Sequence, residues 1–144
     1  MTPAELVAAM IAIARILGEA TPEHMGTELS TRFTLAAETP WAETWVAPGP
    51  NPVATWELRL PKAGATFDGM FIAELRGRGI AEAALRPALT PLGGGAVEIA
   101  SPPLDGGPVE VMSADCYTLP EARFCVSWQG APARATALSL EAGG

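Results

Sequence analysis

The stretch "VATWELRL", residues 53–60, decides how the chain is read. Trp56, Leu58 and Leu60 alternate with Thr55, Glu57 and Arg59. That period of two matches a strand with one buried and one solvated face. Breakers bound it on both sides, "APGPNP" (47–52) before and "PKAGATFDG" (61–69) after. The question is whether the neighbouring segments continue the same period.

They do. Upstream, "TRFTLAA" (31–37) puts Phe33 and Leu35 on one face, and "WAETWVA" (41–47) puts Trp41 and Trp45 on one face. The intervening "ETP" (38–40) is short enough for a hairpin turn. Downstream, "MFIAELR" (70–76) reads as a strand with Phe71, Ala73 and Leu75 inward. The glycines of "RGRG" separate it from a short helix, Ile80 to Arg86, which Pro87 is expected to stop. A loop-rich stretch follows, with one short strand expected at "AVEIA" (96–100). Three more strands are expected within "VEVMSADCY", "ARFCVSW" and "RATALSLEA". Runs at this spacing, with Gly/Pro turns between them, describe an antiparallel meander.

The N-terminal segment has a different period. Leu6, Met10, Ile13 and Leu17 form one helical stripe, widened by Val7, Ile11 and Ala14. Thr2, Pro3 and Glu5 supply an N-cap, a first-turn proline and a capping box, and Gly18 marks the expected end. A helix this apolar needs burial on more than one side, either under the sheet or against a second copy. In the second case Ile13→Glu would break a dimer. "TPEHMGTELS" (21–30) repeats the start signal and is expected to give one or two turns before Gly26. The expected fold is α+β. An N-terminal helix packs on a curved antiparallel β-sheet of roughly six to eight strands, with one short inserted helix, in a single domain spanning 1–144. In outline this resembles the cone-like folds of the nuclear transport factor group and the acidic chaperones of secretion systems, with no motif of either present.

The formal charge of −7 argues against nucleic acid and against anionic membrane surfaces as partners. The one basic cluster, Arg76, Arg78 and Arg86, is interleaved with Glu74 and Glu82 and reads as a solvated, ion-paired turn. The apolar run Leu6–Ala14 is too short to span a bilayer and lacks the basic flank of an export signal. The chain is therefore expected to be cytoplasmic, with its thiols reduced. With "TLPE" as the loop of the last hairpin but one, Cys116 falls opposite Arg123 and lies diagonal to Cys125. The two cysteines then read as unpaired thiols on one hairpin face. A two-residue slip of register would bring them opposite each other.

No catalytic motif is present: no nucleophile elbow, P-loop or metal-ligand spacing. No cofactor and no metal are expected. The candidate ligand-binding residues are Trp41 and Trp45, just before the "APGPNP" breaker, His24, the sole histidine, and Asp115, which shares a face with Phe124 if that register holds and then either points inward and needs a partner or sits at a strand end or bulge near solvent. Two functions fit. The first is a non-enzymatic binding or assembly protein acting through protein–protein contacts or self-association. The second is a small enzyme or small-molecule-binding protein with an apolar pocket between helix and sheet.

Overall fold

The computed structural model describes residues 1–93 and 112–143. The strand expected at 96–100 and the first residues of "VEVMSADCY" lie outside the described residues. Among the described residues eight strands form one antiparallel sheet: β1 (Thr34–Glu38), β2 (Ala42–Pro48), β3 (Val53–Pro61), β4 (Met70–Leu75), β5 (Ile80–Ala81), β6 (Met112–Thr118), β7 (Ala122–Gln129) and β8 (Arg134–Ala142). The order is β1-β2-β3-β4-β8-β7-β6, with the short β5 added on β8. Thus β1 and β6 are the two edges among the described residues. The α+β expectation holds, with three α-helices among the described residues: α1 (Pro3–Ala14), α2 (Pro22–Leu29) and α3 (Glu82–Leu89).

Strand register builds the core directly. On the inner face one row runs across six strands: Trp45, Leu58, Phe71, Leu140, Phe124, Tyr117. The next row is Ala47, Trp56, Ala73, Leu138, Val126 and Asp115. Leu58, Phe71, Leu140, Phe124 and Trp56 are fully buried, each worth about 1.5–3 kcal/mol of transfer free energy. Trp56 packs on Phe71, ring centroids 5.5 Å apart, and its indole N–H has no acceptor among the described residues. The opposite face is mixed, with the Glu57–Arg59 ion pair at 2.8 Å near its middle.

Helix α1 covers the inner face. The Thr2 hydroxyl accepts from the Glu5 amide and the Glu5 carboxylate accepts from the Thr2 amide, so the capping box forms as expected. Leu6, Val7, Met10, Ile13, Ala14 and Leu17 are all buried, against α3 and β8 among other neighbours. Ile13 is 2% exposed within one chain, so Ile13→Glu would attack the core and not a dimer seam. The helix ends at Ala14, and a 3₁₀ turn at Leu17–Glu19 carries the chain past Gly18.

Three local expectations need correction. Helix α2 runs through Gly26 to Leu29 and stops at Ser30, in the left-handed region at φ 53°. Gly26 instead permits a close approach: a Cβ there would lie 2.7 Å from the Thr31 carbonyl oxygen. Pro87 sits inside α3. It falls in the last turn, so its missing N–H removes one bond near an end that frays anyway. Cys116 and Cys125 are directly opposite and form a disulfide, Cα–Cα 4.1 Å. The turn is tighter than "TLPE", with the Leu119 amide donating to the Ala122 carbonyl, and the register moves by two. A two-residue shift keeps every side chain on its face while changing every partner. Asp115 therefore keeps the face it shares with Phe124 but stands opposite Val126, and it is buried rather than at a strand end or bulge near solvent.

Candidate functional site

The four candidate residues fall in three places. His24 is on the solvent side of α2, about half exposed, 3.6 Å from Glu28 one turn on. Asp115 is on β6 and buried. Trp41 and Trp45 are at the β1–β2 end of the sheet. The structure does not bring His24 and Asp115 together with the tryptophans in one site.

Asp115 stands at the end of an apolar row, and its carboxylate is satisfied there. Arg86 of α3 donates to Oδ2 at 2.5 Å, and the Trp128 indole N–H donates to the same oxygen at 3.0 Å. The Arg86 guanidinium lies over the Trp128 ring, 4.8 Å from its centroid, and also binds Glu82 at 3.0 Å. Burial works to lower the Arg86 pKa, but hydrogen bonds to Asp115 and Glu82 outweigh it and hold it above its ordinary value. This cluster pins α3 to β6 and β7. It is a structural knot, with a carboxylate already committed to two donors. Two further arginines, Arg76 at the start of the "RGRG" turn and Arg134 on β8, serve the backbone. Arg76 donates to the Val53 and Gly49 carbonyls, and Arg134 donates to the Arg78 and Gly79 carbonyls.

The β1–β2 end is different. Every residue of β1 is exposed, Leu35 at 46%. The hairpin closes over Thr39–Ala42, not over "ETP". The Thr39 hydroxyl accepts from the Trp41 and Ala42 amides, satisfying donors that the turn leaves free. This moves Trp41 out of the strand and onto the tip of the turn, so it does not share the face of Trp45. Trp41 is 60% exposed, and lines a depression of about 310 Å³ with Gly64, Ala65, Thr66 and Phe67. The Lys62 amide donates to the Trp41 carbonyl at 2.8 Å, so the tip is tied to the end of β3.

Trp45 is half-buried, its indole N–H held by Glu43 at 3.3 Å. It borders an open cleft of about 720 Å³ between α2 and the entry to β1, with Phe33, Arg32 and Ser30. Neither His24 nor Asp115 lines either depression.

A register irregularity between Leu35 and Ala37 shapes the edge. Leu35 opposes Trp45, and Glu38 opposes Glu43. Trp45 and Glu43 share the inner face, so the bulge puts Leu35 and Glu38 on that face as well, although they are three residues apart. Glu38 and Glu43 are like charges directly opposed, an unfavourable pairing. Lys62 offsets it through an ion pair to Glu38 at 2.6 Å. Sequence reasoning found the two tryptophans but missed Leu35 and Glu38. The signal for the edge was present in "TLAAE", a strand with no lysine or proline in it.

Among the described residues no helix is long and apolar enough to cross a membrane, and no three potential metal ligands stand together. Comparison with family models, curated proteins and solved structures finds no match to this chain.

Proposed function

We propose that this chain is a non-enzymatic binding or assembly protein that engages other proteins along the β1 edge and the Trp41 tip. One observation carries the reading. A fully exposed edge strand bears a 46%-exposed Leu35, and the adjoining turn holds a 60%-exposed Trp41. Edge strands present unpaired N–H and C=O groups that template a further strand. Of the devices that blunt such an edge, β1 carries a bulge and the inner-face Glu38 but no lysine, proline or covering element among the described residues. Tryptophan is the residue type most often found at energetic centres of protein contacts. The Thr39 hydroxyl and the Lys62 amide hold this one in place before any partner arrives.

The test compares the tagged wild type with Leu35→Lys/Trp41→Ser in co-purification from the native cell, proteins being quantified by mass spectrometry. Both variant positions are exposed, so circular dichroism and melting should match the wild type. The expected result is a defined set of proteins depleted at least ten-fold with the variant. Equal recovery from both baits would overturn the reading.

The cleft beside Trp45 favours a second reading, a small-molecule site walled by Phe33 and Trp45 with Arg32 at its rim. Trp45→Ala would abolish ligand-induced fluorescence changes in that case and leave partner recovery untouched. The cytoplasmic placement is part of the proposal, and the Cys116–Cys125 bond tests it. Rapid thiol alkylation of protein in intact cells should label both cysteines in a reducing compartment and neither in an oxidising one.

A further inference from the structure

Resting on that reading of the β1 edge, we infer that its occupant is an extended basic segment of a partner protein, added as a further strand with an alternating basic–x–aliphatic pattern. Three features of the edge specify this pattern. Leu35 ends the apolar row that begins at Tyr117 and continues across the sheet to Trp45. An aliphatic side chain opposite Leu35 would extend the row and cover its exposed half. Glu38 lies on the same face, one ladder step beyond the bulge, with Glu43 directly opposite it in β2. Lys62 neutralises one of these two carboxylates, and Glu43 gives one oxygen to the Trp45 indole. The tip therefore keeps one negative charge in surplus beside an exposed indole. A lysine or arginine opposite Glu38 would bring a second cation to this group of two carboxylates and one lysine and balance its charge.

The bulge sets the spacing. Two residues of β1, Ala36 and Ala37, occupy one ladder step between Leu35 and Glu38. On a regular added strand the two opposing side chains are then two residues apart. An antiparallel segment reads basic–x–aliphatic from N to C, and a parallel one reads the reverse. A second copy of this chain fits less well. Each copy carries a formal charge of −7, and pairing about Leu35 puts Phe33 of one copy, not a cation, opposite Glu38 of the other. Charge complementarity between an acidic protein and a basic segment also speeds encounter at low salt.

The experiment uses the full chain and three fluorescein-labelled, end-capped decapeptides. One carries Lys-Thr-Leu-Thr-Val at its centre, one carries Glu in place of Lys, and one has the basic sequence with alternate backbone amides N-methylated. Fluorescence anisotropy is read at 50 and 500 mM salt, with the mass of the protein alone measured by light scattering. The inference expects the basic peptide to bind at least ten-fold tighter than its glutamate counterpart and to weaken several-fold in high salt. N-methylation should abolish binding, and Glu43→Gln should reduce affinity several-fold while the melting temperature holds. Equal affinity for the basic and acidic peptides overturns the basic occupant and leaves the edge reading standing. A protein that is itself dimeric, and monomeric as Leu35→Lys, assigns the edge to a second copy and overturns the inference likewise. If no peptide binds, the protein is monomeric and co-purification does not distinguish the variant, both the inference and the functional reading fall.

Discussion

At one edge of the sheet, β6 is held by three different kinds of interaction. A disulfide ties Cys116 to Cys125, a buried carboxylate at Asp115 binds Arg86 and Trp128, and Tyr117 packs on Phe124 at 6.2 Å. At the other edge, β1 has its ladder to β2, the Lys62–Glu38 ion pair at its end, and no buried residue. Both are edge strands of similar length in one sheet. The difference teaches that edge position does not determine exposure. What determines it is whether the strand carries groups that other elements can grip. Asp115, Cys116 and Tyr117 are three consecutive grips on β6. "TLAAE" offers one aliphatic side chain and one carboxylate. The lightly held strand is the one proposed to take another strand, and the firmly held one is tied to α3 through Arg86.

The contrast can be broken by mutation, and the largest effect is expected at Arg86. Arg86→Ala leaves a buried carboxylate with one indole donor and no counter-charge, which costs about 3–5 kcal/mol, the lower end being favoured because Arg86 itself is 43% exposed. Urea unfolding at pH 7 measures it, and a loss under about 1 kcal/mol would show that the knot does not hold β6. The disulfide comes next. Its ends are 9 residues apart, and closing so short a loop is worth about 2–3 kcal/mol through the unfolded chain. Comparing oxidised protein with Cys116→Ser/Cys125→Ser should recover that difference, with hydrogen exchange rising in β6 more than in β3.

At the open edge the effects shrink. Lys62→Ala removes an exposed ion pair worth about 0.2–1 kcal/mol, and the loss should fade in high salt. It also unmasks the opposed Glu38 and Glu43, so amide exchange in β1 should quicken while that in β6 does not change. The smallest effect is expected at Leu35→Lys, within about 0.5 kcal/mol of wild type, as for surface positions generally. A larger destabilisation, read from thermal melting, would mean that Leu35 already serves the fold and would remove the contrast between the two edges.

Much of this architecture was legible along the chain. Alternation located β3, β4, β7 and β8 because one face of each is buried in the core, and burial is what writes a period into a sequence. The N-terminal helix was legible from Thr2, Pro3 and Glu5, whose contacts are all within four residues. The candidate site was legible only in part. Trp41 and Trp45 stood out as large aromatic side chains near a breaker. Their separation onto different surfaces depended on a turn closed by the Thr39 hydroxyl, a local bond with several equivalent alternatives in "AAETPWAE". Gly26 and Pro87 misled for a related reason. Each is a breaker by propensity, and packing or position made each tolerable.

By itself the sequence located the longer strands, the apolar face of each, and the face that Asp115 shares with Phe124. These follow from side-chain order, and a strand's period survives any even shift. The tertiary structure alone decided pairings: Cys116 with Cys125, Asp115 with Arg86 from 29 residues away, and β1 as an edge among the described residues. Strand order and register are choices among alternatives that bury the same apolar faces. Only the full set of contacts, closing at once, selects one.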